Sequence, residues 1–477
     1  MVRVGIIGAG PSGLCAARHI LNTPGLEPPV VWERTGQLGG TWRLSEQVGR
    51  DSRGLPVHSS MYHGLRTDLP TVLMAFPDFP FPEEDTEESF VHHTVVLKYL
   101  EDYARHYQLL PHIKFGQEVE SVCPVVKEEE GPPAWRVTSR DLQSGTLTTT
   151  TCDALLVCNG HFSEPNFTEI EGLDEYEGEK LHSHDYRHPH PFTGVSVLVV
   201  GAGASGLDIA LELSSVALQV LLSHNYPVQF PSDFPPNLHQ MSRVSRATRH
   251  GFTFSDGTHA EAQAVIFCTG YKYSFPFLSQ ECEVSVKDNH IRPLYKHLIH
   301  AKFPSLGFIG IPQRIVVFPL VDYQVRYFLA TVMGKVCVPN YDNMMASIEE
   351  EEREIKAAGE PDKHYHIFGP KQFQYMEGLA QEAGLKKPPG FYEKLFTIVI
   401  VRLFFSFPIF KTYNYSLTPD GSSIMEARRG VSINTTRDLT LLVVRQLVCL
   451  LWRDFRRVVW LLGSIVMKKI GNIFKFG

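Results

Sequence analysis

The sequence predicts an α/β protein made of two similar domains, each with a doubly wound parallel sheet, the second inserted in the first, plus an apolar C-terminal helical tail. Two observations support this fold class. The pattern G-x-G-x-x-G occurs at residues 8–13 and again at 201–206, each time between an apolar, β-branched segment and a helical pattern. A later apolar strand at residues 306–310 indicates that the chain returns to the first domain.

The first copy predicts a Rossmann-like dinucleotide site behind a strand at residues 2–7. Its glycines give a tight turn, a close approach of the backbone to a pyrophosphate, and close packing of helix on strand. The pyrophosphate then lies at a helix N-terminus. The next strand ends at Glu33, where an acid binds a ribose hydroxyl. The predicted binding residues are Gly8, Ala9, Gly10, Pro11, Ser12, Gly13 and Glu33.

The second copy predicts a second dinucleotide site, with Gly201, Gly203, Ser205 and Gly206 as its binding residues. Its following strand runs into Ser223, which stands where an acid would bind a ribose 2′-hydroxyl and repel a 2′-phosphate. An uncharged residue permits that phosphate, which favours NADP over NAD. The obvious use for two dinucleotides is to pass electrons from one to the other.

The composition limits the function classes. A chain of 477 residues is long enough for two or three domains. Its net charge of −7 gives no attraction to nucleic acid. Its eight cysteines include no C-x-x-C pair, which argues against a thioredoxin-type dithiol and a zinc ribbon, and we predict no metal site. A first strand that begins at residue 2 leads us to expect no signal peptide.

We divide the chain into a first nucleotide domain at residues 1–185, a second at 190–305, a return with a helical region at 306–430, and a tail at 431–477. Turns at residues 158–161 and 268–271 lie at the crossings between domains, and we place Tyr271 in the cofactor site. The tail has short apolar runs beside basic residues, as does the segment 395–410 with its single Arg402. We expect the tail to lie in a membrane surface as a monotopic anchor. An amphipathic helix packed on the protein and a spanning helix are the alternatives.

One pattern between the fingerprints indicates a family. Tyr176-x-Gly178-x-x-x-His182-x-x-x-Tyr186 matches the identifying sequence F-x-G-x-x-x-H-x-x-x-[FY] of flavin-containing monooxygenases, with Tyr in place of the leading Phe. Residues 1 to about 390 resemble this family, and the text around the pattern resembles its branch with plant and yeast S-oxygenases and insect alkaloid N-oxygenases. Two further segments carry the resemblance, the flavin-contacting segment with Gly40, Thr41 and Trp42, and the helix beneath the flavin ring with Gln324.

The resemblance implies FAD in the first domain and NADPH in the second. NADPH would reduce FAD, O2 would add to give a C4a-hydroperoxide, and a small-molecule sulfide or amine would take the terminal oxygen. His182 would order the linker between the domains. Vertebrate members imply the cytoplasmic face of the endoplasmic reticulum membrane, whereas plant and yeast relatives imply the cytosol. The oligomeric state is open, a homodimer included.

One position departs from the family, which usually has Asn in the loop where this chain has Asp68 after Thr67. We place both residues at the reacting site. An ionised Asp68 would repel a peroxide anion, a protonated Asp68 could donate a hydrogen bond, and a third alternative is that Asp68 faces solvent. The first case would favour an NADPH oxidase that releases hydrogen peroxide. A Baeyer–Villiger monooxygenase and a non-catalytic protein that holds FAD only for structure are the remaining alternatives.

Overall fold

The computed structural model describes residues 1–85, 87–125, 133–227, 229–418, 424–428 and 431–432. Within them the chain has the predicted mixed α/β fold. The segment that precedes each fingerprint is a fully buried strand, because a strand covered on both faces by helices needs apolar side chains on both faces.

The first sheet has seven strands, and the first fingerprint follows the middle one of its five parallel strands. Five neighbouring strands run parallel, and two short antiparallel strands extend one edge. In spatial order the strands are Leu294–Tyr295, Ile299–His300, Leu306–Phe308, Ala154–Val157, Val4–Ile7, Val30–Glu33 and Ile113–Phe115. The predicted return of the chain to the first sheet is therefore present.

The second sheet has five parallel strands, with the second fingerprint after its middle strand. In spatial order they are Leu238–Met241, Gln219–Ser223, Ser196–Val200, Ala264–Phe267 and Glu179–His182. Both domain crossings come earlier than in our division. Glu179–His182 already belongs to the second sheet although we ended the first domain at 185. Leu294–Tyr295 already belongs to the first sheet although we ended the second domain at 305.

Smaller antiparallel units flank the two sheets. Two of the three-stranded units pack beside one sheet each, at Gln117–Val125, Ala134–Asp141 and Leu147–Cys152, and at Val244–Thr248, Gly251–Phe254 and His259–Glu261. Others are Ser285–Lys287 with His290–Arg292, and Tyr413–Leu417 with Ile424–Arg428 and Val431–Ser432. The two crossings between domains pair with each other as a short ribbon, Glu164–Pro165 with Tyr271–Lys272.

The helices cover the sheets, and the helix after the first fingerprint packs on the helix predicted to lie beneath the flavin, Val317–Val332. The α-helices are Pro11–Leu21, Thr71–Met74, His93–His106, Ala204–Leu213, Val317–Val332, Tyr341–Ala357, Lys371–Glu382 and Phe391–Phe405. The 3₁₀-helices are Gly40–Trp42, Glu83–Asp85, Leu110–His112, His190–Phe192, Gln280–Cys282, Asp362–His364 and Phe407–Thr412.

No helix in the part of the chain that the structure describes combines the length and the apolar character needed to cross a bilayer. The apolar segment 395–410 forms most of the helix Phe391–Phe405 and of the 3₁₀-helix Phe407–Thr412, and Arg402 within it is buried against Glu426. The predicted tail at 431–477 lies outside the described residues except for its first two. Its contact with a membrane stays a prediction.

Candidate active site

The first fingerprint has the backbone that a dinucleotide site requires. Gly8 has a φ of +103°, in the left-handed region that favours glycine. A Cβ atom on Gly13 would lie 1.9 Å from the carbonyl oxygen of Gly8, so only glycine lets the helix pack this closely on the strand end. Gly10 caps the helix without a side-chain hydrogen bond, and Pro11 is its first residue. The first turn therefore offers backbone N–H groups to an anion.

The second fingerprint repeats this geometry. Gly201 also has a φ of +103°, and a Cβ atom on Gly206 would lie 1.8 Å from the carbonyl oxygen of Gly201. Gly203 caps the helix Ala204–Leu213 without a side-chain hydrogen bond, and Ser205 is partly exposed in the first turn. A Cβ atom on Gly203 would meet no heavy atom within 4 Å. Space is thus kept open where a pyrophosphate would approach.

Glu33 is held at the end of its strand beside the first fingerprint. It is 7% exposed, and its Oε2 accepts a hydrogen bond of 2.8 Å from the N–H of Ala9. Its Oε1 accepts from the N–H and the hydroxyl of Thr35, at 2.8 and 2.7 Å. Three donors fix the carboxylate, and its remaining lone pairs are those that a ribose hydroxyl would use. Its contact with a ribose stays a prediction.

The segment Gly40–Trp42 lies against the first fingerprint. Gly40 has a φ of +55°, and a Cβ atom there would lie 3.0 Å from the Cα of Gly10. The carbonyl of Thr41 accepts a hydrogen bond of 3.1 Å from the Ser59 hydroxyl, which fixes the turn. The Trp42 ring packs edge-on against Phe318, with centroids 6.5 Å apart. Gly40 and Thr41 therefore lie at the predicted site, while the Trp42 ring also contacts the hydrophobic core.

Both polar atoms of the Gln324 side chain form hydrogen bonds with other residues of the protein. It is fully buried, its Oε1 accepts from the N–H of Gly310 at 2.9 Å, and its Nε2 donates to the Tyr375 hydroxyl at 2.9 Å. Gly310 has a φ of +77°, and a Cβ atom there would lie 3.0 Å from the Ser12 hydroxyl of the fingerprint. Gln324 thus shapes the fingerprint through Gly310. A direct contact with the flavin stays a prediction.

Ser223 likewise has its hydroxyl engaged by backbone. Its Oγ donates to the carbonyl of Ser242 at 2.8 Å and accepts from the N–H of Val244 at 3.1 Å. These bonds hold the end of the strand, and Ser223 is buried. The strand end carries no acidic group at this position. That absence, rather than the hydroxyl, is what favours a 2′-phosphate.

Tyr271 lies on the ribbon that joins the two domains, paired with Pro165. Its ring is partly exposed and lies 5.3 Å from the ring of His182 and 5.5 Å from that of Phe162. Burial raises the pKa of its phenol. Tyr271 therefore lies on the connection between the two nucleotide domains, and its contact with a cofactor stays a prediction.

His182 has the surroundings of a structural residue. It is buried at the end of a strand of the second sheet, and its Nδ1 accepts a hydrogen bond of 3.1 Å from the N–H of His184. Burial lowers its pKa to about 4, so the ring is neutral at pH 7. These contacts support the predicted role of ordering the linker.

Thr67 and Asp68 lie in different surroundings. The N–H of Thr67 donates to the carbonyl of Val91 at 2.9 Å, but its buried hydroxyl has no hydrogen-bond partner among the described residues. A buried unpaired hydroxyl is costly, so a bound group that accepts or donates at this point would be favoured. The side chain of Asp68 is 42% exposed, and its Oδ1 lies 3.1 Å from the Nζ of Lys411.

Asp68 therefore fits none of the three predicted cases fully. Its carboxyl is paired with a cation. Although 42% of the side chain is exposed, the loss of water around the carboxyl outweighs the charge of Lys411 and raises its pKa, and the charge of Asp208 acts in the same direction. Sequence reasoning missed Lys411. It lies far along the chain in the 3₁₀-helix Phe407–Thr412, and no motif marks it.

Lys411 and Asp208 connect Asp68 to the second fingerprint. The Nζ of Lys411 lies 2.9 Å from Oδ1 of Asp208, on the helix that begins at that fingerprint, and 3.0 Å from the carbonyl of Arg66. The Tyr62 hydroxyl donates to Oδ2 of Asp208 at 2.6 Å. Asp68 thus lies where the loop of the first domain meets the helix of the second.

One group outside this site has the residue types of a metal centre, Cys15, His19 and Asp322. The Nε2 of His19 lies 2.5 Å from Oδ1 of Asp322, and the guanidinium of Arg326 lies 3.3 Å from Oδ2. Arg326 balances the carboxylate, and burial raises the pKa of the Cys15 thiol well above its usual value. The carboxylate of this group is therefore already engaged by His19 and Arg326.

Comparison with known proteins supports the geometry. A family model described as flavin-binding monooxygenase-like matches residues 1–228 and 237–459. Flavin-containing monooxygenase FMO GS-OX-like 2 of Arabidopsis thaliana is 37% identical over 419 residues, 84% of this chain and 89% of the relative. Senecionine N-oxygenase of Tyria jacobaeae is 32% identical over 423 residues, 88% and 90% of the two chains.

Solved structures agree with these relatives. S-allyl-L-cysteine S-oxygenase from Allium sativum superposes with a TM-score of 0.78 at 34% identity, over 84% of this chain and 93% of that one. Cyclohexanone monooxygenase superposes with a TM-score of 0.56 at 17% identity, over 80% and 98% of the two chains. At that identity the second likeness concerns the fold alone.

Proposed function

The chain belongs to the flavin-binding monooxygenase-like family, and we propose that it uses NADPH and O2 to oxygenate soft nucleophilic nitrogen or sulfur atoms of small molecules. It is a flavin-containing monooxygenase, with FAD and NADPH as its cofactors. The observation that carries the proposal is the pair of fingerprints with one backbone geometry, on two parallel sheets whose crossings pair as one ribbon. Neighbouring sites allow a hydride to pass from one dinucleotide to the other.

We assign the two cofactors from the residue that ends the strand after each fingerprint. Glu33, fixed beside the first fingerprint, suits a ribose hydroxyl of FAD. The second sheet has Ser223 at the corresponding strand end, which admits the 2′-phosphate of NADPH. The buried, unpaired hydroxyl of Thr67 supports a bound group on the first domain's side of the site.

The bound flavin, once reduced by NADPH, supplies activated oxygen to the nucleophile. The chain orients the two cofactors through its fingerprint backbones. Asp68 supplies a titratable oxygen there. Its neutral form can donate a hydrogen bond from a carboxyl oxygen, whereas its ionised form only accepts. A donor stabilises negative charge on a reacting oxygen.

The named relatives indicate the substrate class. One is a senecionine N-oxygenase and another is an S-allyl-L-cysteine S-oxygenase. Both take oxygen on an atom with an available lone pair. We therefore propose both small-molecule thioethers and small-molecule amines as substrates.

Asp68 also supports a second candidate function, an NADPH oxidase that releases hydrogen peroxide. Asp68 and Asp208 share one ammonium group, so the cluster is anionic when both carboxyls are ionised. Such a charge would repel anionic oxygen species and favour the loss of peroxide.

A single experiment separates the two functions. Purified enzyme with bound FAD receives NADPH and ¹⁸O2, with a dialkyl sulfide, a tertiary amine or neither, and the labelled product, peroxide and NADPH consumed are measured together. We expect labelled sulfoxide or N-oxide that accounts for most of the NADPH consumed. Peroxide equal to the NADPH consumed, with no labelled product from either compound, would contradict the monooxygenase proposal and support the oxidase.

A further inference from the structure

Lys411 is the only residue among those described that forms an ion pair with Asp68. Its side chain is 16% exposed, and it reaches the site from the 3₁₀-helix Phe407–Thr412. Its Nζ has three acceptors within reach, at 3.1 Å from Asp68, 2.9 Å from Asp208 and 3.0 Å from the carbonyl of Arg66. The ammonium group donates hydrogen bonds to Asp208 and Arg66 and forms an ion pair with Asp68. Lys411 is therefore held by three groups of the protein itself.

We propose that Lys411 is a positioning residue of the oxygenation site, which holds Oδ1 of Asp68 inside the protein and leaves Oδ2 as the oxygen that takes up or releases a proton towards the bound cofactors. This proposal rests on the proposed function, since it gives Asp68 its partner in the reaction. None of the described residues donates a hydrogen bond to Oδ2, and the side chain is 42% exposed. Oδ2 is thus the oxygen open to a ligand.

The two carboxyls that face Lys411 differ in their surroundings. Asp208 accepts from Lys411 at one oxygen and from the Tyr62 hydroxyl at the other, whereas Asp68 has only its ion pair with Lys411 among the described residues. Donors stabilise the ionised form of a carboxyl. Asp68 has few of them and a raised pKa, so its carboxyl takes up a proton more readily than a free one. Glu212, farther along the same helix, adds negative charge near Tyr62.

The pH dependence follows from these contacts. Below the pKa of Asp68, its Oδ2 carries a proton and donates; above that pKa, it is an anion that only accepts. We therefore expect the peroxide released per NADPH to rise as the pH passes upward through the pKa of Asp68. The groups that face Asp68 from the packed elements are Lys411, Asp208 and Tyr62.

The test uses two substitutions that should shift the pKa of Asp68 in opposite directions. Lys411→Met removes the cation and should raise the pH at which Asp68 titrates by about one unit or more. Asp208→Asn removes the competing carboxylate and leaves Lys411 to Asp68, so it should lower that pH by a similar amount. Lys296→Met is the matched control, because Lys296 is 22% exposed and pairs with Glu382 away from this site.

The readout is the carboxyl ¹³C resonance of Asp68 in oxidised holoenzyme labelled at aspartate, assigned by its loss in Asp68→Asn and followed over pH without turnover. Opposite shifts in the Lys411 and Asp208 variants, with none in the control, support the proposal. If the Asp68 resonance titrates at a pH shifted in the same direction in both variants, or unshifted, the proposal is overturned. A merely structural role of Lys411 would not give shifts of opposite sign. If Lys411→Met does not fold, the direction of the shift in the Asp68 titration of Asp208→Asn decides by itself.

A second measurement separates this inference from the proposed function. The peroxide released per NADPH is followed over pH in the same variants, and its midpoint should move with the Asp68 resonance and vanish in Asp68→Asn. A wild type without oxygenated product, but with the expected resonance shifts, would refute the proposed function and leave the positioning role of Lys411 intact. A midpoint that stays in Asp68→Asn would overturn the role of Asp68 as the titrating group.

Discussion

Replacing Gly203 by alanine tests whether the second fingerprint binds a pyrophosphate, because the added methyl group meets nothing in the protein itself. A Cβ atom there has no heavy atom within 4 Å, and the residue's φ of −76° and ψ of −173° suit alanine. The methyl group would instead occupy the space over the helix N-terminus. We expect a folded protein with weakened NADPH binding.

The expected changes in the free energy of unfolding and in NADPH affinity follow from these contacts. Alanine is a poorer helix cap than glycine, but it also reduces the entropy of the unfolded chain, so the free energy of unfolding should change by less than about 1 kcal/mol. A lost hydrogen bond from a backbone N–H to a charged phosphate costs about 1.5–3 kcal/mol. The dissociation constant of NADPH should therefore rise roughly 10- to 100-fold.

Gly206→Ala is the contrasting variant in the same fingerprint. Its Cβ atom would lie 1.8 Å from the carbonyl oxygen of Gly201, and helix and strand would have to separate to make room. Overpacking of backbone against backbone lies at the upper end of the usual cost, so we expect a loss of about 3 kcal/mol or more in the free energy of unfolding. Gly10→Ala, with its nearest contact at 3.5 Å, is the matched variant for FAD.

The assay combines three measurements on each variant: denaturant unfolding, flavin per chain, and anaerobic titration with NADPH. Gly203→Ala should keep stability and flavin and lose NADPH affinity, while Gly10→Ala should lose flavin. An unchanged NADPH dissociation constant in Gly203→Ala would refute the placement of the pyrophosphate. Unfolding of that variant as severe as in Gly206→Ala would refute the packing argument.

Three further predictions concern single buried groups. Glu33→Gln weakens the bond to Ala9 and should release flavin during dialysis that wild type survives, measured as flavin per chain. Gln324→Met leaves the N–H of Gly310 without a partner and removes one of the two hydrogen bonds of the Tyr375 hydroxyl, so denaturant unfolding should show a loss of about 1–3 kcal/mol. His300 is fully buried with its pKa lowered to about 4, so the unfolded chain binds more protons below pH 6.5. Its stabilisation is complete above that pH and should fall by about 2 kcal/mol at pH 5, a loss that is absent from unfolding of His300→Asn.

Local patterns predicted the parts of this protein that depend on local backbone geometry. A fingerprint glycine is needed because its φ is positive or because helix and strand meet there, and both causes act within a few residues, as at Gly8 and Gly13. Apolar patterns similarly predicted the strands that flank the two fingerprints and the return strand at 306–310, and chain spacing placed Glu33 at the end of its strand.

Tertiary structure alone decided how the side chains of the site are used. Lys411 meets Asp68 only because the C-terminal segment folds over the junction of the two domains, and side-chain reach between distant segments leaves no periodic trace. Gln324 and Ser223 were predicted from their positions, yet their hydrogen bonds turn them to the backbone of their own domains. The sequence therefore determines that two dinucleotide folds are present, whereas the charge presented to the reacting oxygen depends on packing between elements far apart in the chain.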